Sequence, residues 1–327
     1  MHQRSDKLCL RPNIAAEPLI DQWYAWPHLI APATAARNLT HRHLRIMESY
    51  LSNPDAHAAA ARDPGLAGGP FMNFERARVA EISALHDHTV TIRHNLIEMS
   101  GAIDELDSLL NQHAKGYSLE PLYQLVPSAL QGYVELGYDL RNQASFRFIE
   151  PLLYTSRYHD PSAQSLMLSA VTNDSRTFIF STPRLAKPDS IDWRTSFACA
   201  DVDALYRLKS EPAAFSDIRE LLGVSEHNNA ILRSFLTDRK PSEAPRYTGG
   251  GMRWKYFGHA CVLIESSDFS ILTDPAVSYA YDGASERFTY ADLPESIDFV
   301  LLTHAHQDHV LLETLLQLRH RIGTILV

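Results

Sequence analysis

The sequence predicts an α/β protein in two parts, an N-terminal α+β domain over residues 1–246 and a second α/β unit over residues 252–327. Three observations predict it. The first third carries apolar residues at three- and four-residue steps, the period of a helix with one buried face. The middle carries short apolar runs bounded by turn residues, which mark strands. After a Gly-rich linker the pattern becomes strand, His-rich loop, helix and strand, the order of an α/β unit.

Residues 34–51, TAARNLTHRHLRIMESYL, set Leu39, His43, Ile46, Met47 and Tyr50 on one helical stripe that Asn53-Pro54 ends. Pro and Gly make residues 61–70 a loop. From Phe74 to His113 the helical period runs through Val79, Ile82, Leu85, Ile92, Leu96, Met99, Ile103, Leu106 and Leu110. So long a stripe predicts either a break near Ser100-Gly101 or a helix–helix surface that pairs two copies through Leu96 and Met99; a homodimer is the expectation. LEPLYQLVPSALQGYVELGYDL, 119–140, adds one or two shorter helices.

RFIEPLLY, QSLMLSAV and RTFIFSTP are apolar and bounded by turn pairs such as Asp160-Pro161 and Asn173-Asp174, and they predict sequential, mostly antiparallel strands. Residues 211–237 return to helix. RKPSEAPRYTGGGM, 239–252, combines Pro, Ser and three consecutive glycines, so the domain boundary is placed there. Beyond it, MRWKYFGHACVLIES predicts strands bent at Gly258, and FSILTDP a strand ending at Asp274-Pro275. Residues 276–296 read as a loop, Phe299 to Leu302 as a buried strand, LLETLLQLRH as a helix and TILV as one more strand.

Composition narrows the class. Of 327 residues, 45% are hydrophobic and 21% charged, the balance of a globular chain with a core. A formal net charge of −9 argues against generic nucleic-acid binding, which needs a positive surface. Cys9, Cys199 and Cys261 are odd in number and far apart, so neither a disulfide framework nor a Cys-rich zinc site is legible. No signal-peptide core and no run long enough for a membrane span is present in the sequence, and the expected compartment is the cytoplasm.

The chemistry concentrates in THAHQDHV, 303–310, which packs His304, His306, Asp308 and His309 into six residues directly after an apolar strand. Imidazole and carboxylate together favour zinc, iron or manganese. His304 and His306, two apart in an extended segment, can point the same way and chelate one ion. Asp308 and His309, expected at the start of the next helix, can face back and hold a second ion, as two-metal sites require; Asp308 can instead steer a metal-bound oxygen species. HRH at 41–43 and HDH at 86–88 lie on helices, where residues two apart face different ways, and read as surface histidines. His159-Asp160 reads as turn chemistry, Cys261 as a small core residue and Gly249–Gly251 as linker.

THAHQDH resembles the signature loop of the metallo-β-lactamase fold, an αββα sandwich with a dinuclear metal site at one edge. YFGHACVLIES resembles the first hairpin of that fold and ILTDP its following strand. The resemblance implies that residues 252–327 form the first half of such a sandwich, that Asp274 hydrogen-bonds around the metal ligands, and that His259 stands beside the site. For His259 a buried, hydrogen-bonded histidine is an equal reading.

The N-terminal part, with IEPLLYTSRYHD and QSLMLSAVTNDSRTFIFSTPRL, is similar to the dinuclear non-haem iron β-hydroxylases of chloramphenicol biosynthesis. That resemblance implies two iron ions, O₂, an electron donor of unknown identity, and an amino acid held as a thioester on a nonribosomal peptide synthetase carrier domain. It implies for the N-terminal domain a role in dimerisation or carrier docking. It also implies further ligands from later loops, which this sequence does not contain, so the chain is expected to be a truncated form of a longer enzyme that binds metal weakly. Two other classes stay open: a zinc-dependent hydrolase of the same fold, and a non-catalytic remnant.

Overall fold

The structure is a computed structural model that describes residues 7–176, 179–240 and 244–327. The chain divides into two compact units. One comprises the described residues of 28–160 and 177–183, the other those of 1–27, 161–176 and 184–327. Strands on both sides of the 249–251 glycines fall in the second of these.

The unit around residues 28–160 is helical. Pro32–Asn38, a π-helical turn Leu39–Leu44 and Arg45–Ser52 run on as one stretch, and Asn53 caps the following Pro54–Arg62 helix through its side chain. The long stripe resolves into helices Val79–Ile92 and His94–His113. The break is at Arg93 and not near Gly101. Arg93 leaves helical geometry (φ −104°, ψ 21°), and its buried guanidinium donates to Asp160 at 2.5 Å, so Asp160 does more than close a turn. Met99, Ile103, Leu106 and Leu110 pack with Ala36, Leu130 and Leu153 in one core. Met99 is fully buried within its own chain, which corrects the reading of it as a pairing surface. His43 is also buried rather than superficial, while His41 faces Asp104 at 3.3 Å.

Further expectations give way. Val134–Tyr138 is a strand, paired with Ala144–Phe148; Asp139 accepts from the amides of Arg141 and Gln143 and Asn142 takes positive φ, so the turn chemistry closes a hairpin where helix was expected. Glu150–Tyr154 is a helix, started by Pro151 in its first turn, and not the end of a strand. Of the strand expected in RTFIFSTP, Thr177 and Phe178 lie outside the described residues, and the part that follows them is turn.

Among its described residues the other unit holds three sheets. Ile14–Ile20 and Gln164–Ala170 pair antiparallel through seven residues each, flanked by Trp23–Tyr24 and Ile191–Arg194. The expectation of helix from the start of the chain missed Ile14–Ile20, because its partner lies far away in sequence. The C-terminal sheet runs in the order Arg253–Gly258, Cys261–Glu265, Ser270–Thr273, Ile297–Leu301, Ile322–Leu326. Its first two pairings are antiparallel and its last two parallel. Cys261, Leu263, Leu272, Ile297, Val300 and Leu318 form its buried core, and burial pushes the Cys261 thiol up to about 11. Among the described residues no helix is long and apolar enough to cross a membrane.

Candidate metal centre

The site is built where parallel strands end. Ligand sites in α/β sheets gather at the carboxyl ends of strands, where loops diverge. Thr273 and Leu301 are register partners, so Asp274, one residue beyond, and Thr303, two residues beyond, come together. The Asp274 amide donates to the Leu301 carbonyl at 2.9 Å and the Leu302 amide to Leu326 at 2.9 Å, pinning the exit of the loop between both neighbouring strands.

Asp274 is buried, with φ +35°. Its carboxylate accepts from the Thr303 amide and hydroxyl, each at 2.8 Å, and His309 Nδ1 lies 2.9 Å from Oδ2. Burial would raise its pKa, but the Thr303 amide, His309 and the Thr303 hydroxyl outweigh burial and hold the carboxyl below its ordinary value. An N–H on Nδ1 directed at a carboxylate leaves the Nε2 lone pair of His309 for a metal.

His259 follows Gly258 in the hairpin turn, at φ +50°. It is half exposed, which removes the buried-histidine alternative, and its Nε2 lies 3.2 Å from Asp308 Oδ2. His259 and Asp274 are thus two non-glycine residues in left-handed backbone facing one loop, a strain that persists only where surrounding structure enforces it. His259, Asp308 and His309 offer ligand atoms that all lie within 4.8 Å of one another. His304 and His306 form a second pair: His304 Nε2 and His306 Nδ1 are 2.9 Å apart. The His304 ring centroid stands 4.0 Å from that of His309, which joins the two groups.

These separations fit metal ligation. Two ligands on adjacent positions of one ion, each bonded at roughly 2.0–2.1 Å, sit about 3 Å apart. Both the His304–His306 and the His259–Asp308 pairs meet that spacing. The donor set of imidazoles and a carboxylate suits iron or zinc. His259 from the hairpin joins Asp308 and His309, and both Asp308 and His309 lie in a turn before the Leu312–Leu318 helix, not on it. Thr303, which touches Asp274, His304 and His309, was not anticipated; a hydroxyl residue at the junction of strand and loop was its only signal.

Comparison with known proteins agrees with this architecture. A profile described as diiron non-heme beta-hydroxylase N-terminal domain matches residues 9–241, and one described as beta-lactamase superfamily domain matches residues 253–325. A curated relative from Streptomyces venezuelae, 4-amino-L-phenylalanyl-[CmlP-peptidyl-carrier-protein] 3-hydroxylase, is 39% identical over 97% of this chain and 61% of its own length. A UPF0173 protein of Pyrococcus abyssi is 40% identical over 58 residues, 18% of this chain and 23% of its own. The crystal structure of CmlA, a diiron beta-hydroxylase from Streptomyces venezuelae, superposes with a TM-score of 0.85 at 38% identity, covering 98% of this chain and 60% of that one. The chain spans about three fifths of the length of these hydroxylase relatives. With a match over most of its residues, the protein belongs to the diiron non-heme beta-hydroxylase N-terminal domain family and joins that domain to a beta-lactamase superfamily domain.

Proposed function

We propose that this chain carries the first ligand loop of a two-iron centre for O₂-dependent β-hydroxylation of an amino acid tethered to a peptidyl carrier domain. The observation that carries the reading is the 2.9 Å spacing of the His304 and His306 ring nitrogens, with Asp308 and His309 gathered beside them, on a chain of the diiron hydroxylase family. The named activity of the Streptomyces venezuelae relative supports the substrate class. His304, His306, Asp308 and His309 are the proposed ligands, with His259 against Asp308 and Asp274 orienting His309.

Two irons, when bound, supply the redox capacity for O₂ chemistry that zinc lacks. The chain's own residues do the holding: Asp274 sets the His309 tautomer, and Thr303 secures Asp274. Hydroxylation of one C–H bond by O₂ also consumes two electrons and two protons and releases water, so a two-electron reductant belongs to the reaction. The proposed modules meet between residues 246 and 252, and the compartment proposed is the cytoplasm.

The test joins this chain to the later ligand loops that the family resemblance implies, titrates the longer protein anaerobically with ferrous iron, and then supplies O₂, a chemical reductant and an aminoacyl carrier domain. The expected product is a carrier heavier by one oxygen atom. Retention of zinc alone, with hydrolysis of an ester or thioester, would replace this reading by the hydrolase one. Cleavage by a protease at 247–252 before any other internal site would support the module boundary.

A further inference from the structure

Helix Leu312–Leu318 reads LETLLQL, yet Glu313 is only 3% exposed. Its carboxylate accepts from the Tyr24 phenol at 2.9 Å, the Tyr279 phenol at 2.8 Å, and Arg176 Nη1 and Nη2 at 3.3 and 3.0 Å. Arg176 Nη2 donates also to Glu17 at 2.6 Å, and Glu17 accepts twice from Arg184, both at 3.0 Å. Burial, with Glu313 adding to it, pushes both phenols well above their ordinary pKa, so they remain donors.

Such a network is a poor source of stability. Each buried ion loses hydration worth several kcal/mol, and apolar packing of the same volume often does as well. What it supplies is direction, since a carboxylate gripped by a guanidinium fork and two phenols has one position. Glu313 follows His309 by four residues in sequence, and the Val310 amide is itself bonded to the His306 carbonyl at 2.9 Å. Little slack separates the clamp from the loop.

We infer that Glu313 is a positioning residue of the 304–309 loop. Tyr24 and Arg176 from the diiron-family region, with Tyr279, fix where the helix starts, and that start fixes the direction from which Asp308 and His309 meet His259. The inference rests on reading 304–309 as the metal loop, and its test does not require metal.

Glu313→Gln keeps the volume and removes the charge. Glu17→Gln alters the same network, but from the Ile14–Ile20 strand, which carries no ligand. Thermal melts and peptide-resolved hydrogen–deuterium exchange of the metal-free full chain separate the two roles. Both variants should melt lower. Only Glu313→Gln should speed exchange across 302–311, at least tenfold relative to the Ser270–Thr273 strand. Exchange that rises evenly through the fold, or equal loosening of the loop in Glu17→Gln, would overturn the inference. Should Glu313→Gln not fold, Arg176→Lys keeps the charge and removes the fork; an unchanged loop in that variant would overturn it as well. Cobalt titration of the parent chain examines the metal reading separately: no binding would reject that reading, while exchange decides the role of Glu313.

Discussion

Asp274 Oδ2 lies 2.9 Å from His309 Nδ1, a contact between the end of one strand and the loop leaving its parallel neighbour. A carboxylate behind an imidazole fixes its tautomer and raises its basicity as a ligand. Asp274→Asn keeps the shape and removes the charge, so ferrous or cobalt affinity should fall about 10–100-fold. Isothermal titration of the two proteins reads it; equal affinities would mean that His309 is not a ligand.

His304→Ala should abolish binding at the His304–His306 pair and disturb His309, whose ring it touches. The helical histidines should behave differently. His41 faces Asp104 and His88 is exposed on its helix, so His41→Ala and His88→Ala should leave metal content unchanged. Metal analysis of the four proteins after equal loading and desalting decides this.

Asp160→Ala should destabilise the helical unit, because the buried Arg93 guanidinium at the helix break loses a charged acceptor at 2.5 Å. Hydrogen bonds to charged groups are worth about 1.5–3 kcal/mol, and Asp160 is partly exposed, which favours the lower end of that range. Urea denaturation followed by circular dichroism measures the loss.

His43 gives the helical unit a sensitivity to acid. Burial, with help from the neighbouring Arg42, lowers its pKa from 6.5 to about 3. Between those values the unfolded chain binds a proton that the folded chain refuses. Its contribution to stability is therefore complete above pH 6.5 and is lost as pH falls toward 3, by up to about 1.4 kcal/mol per pH unit. His43→Leu should show a shallower fall in urea midpoint between about pH 7 and pH 5; an unchanged slope would assign the acid sensitivity elsewhere.

The sequence by itself determined the elements whose signal is local. The Gly258 bend, the strand Ile297–Leu301 and the helix after the 304–309 loop follow from turn residues and apolar period, and the spacing of THAHQDHV marks the proposed metal loop without a fold. The stripe from Val79 to Leu110 announced buried helix faces, but not that the helix would break at Arg93, whose guanidinium meets Asp160, distant in sequence. Tertiary structure alone decided what needs long-range register. Ile14–Ile20 became a strand only by pairing with Gln164–Ala170, and Val134–Tyr138 by pairing with Ala144–Phe148. His259 reached Asp308 and Thr303 reached Asp274 because neighbouring strands end together, and Glu313 reached Tyr24 and Arg176 because its helix packs against a second sheet. A side chain's type is written in one residue, whereas its partner is set by the closing of the sheet, and only the folded chain brings ligand and support to the same point.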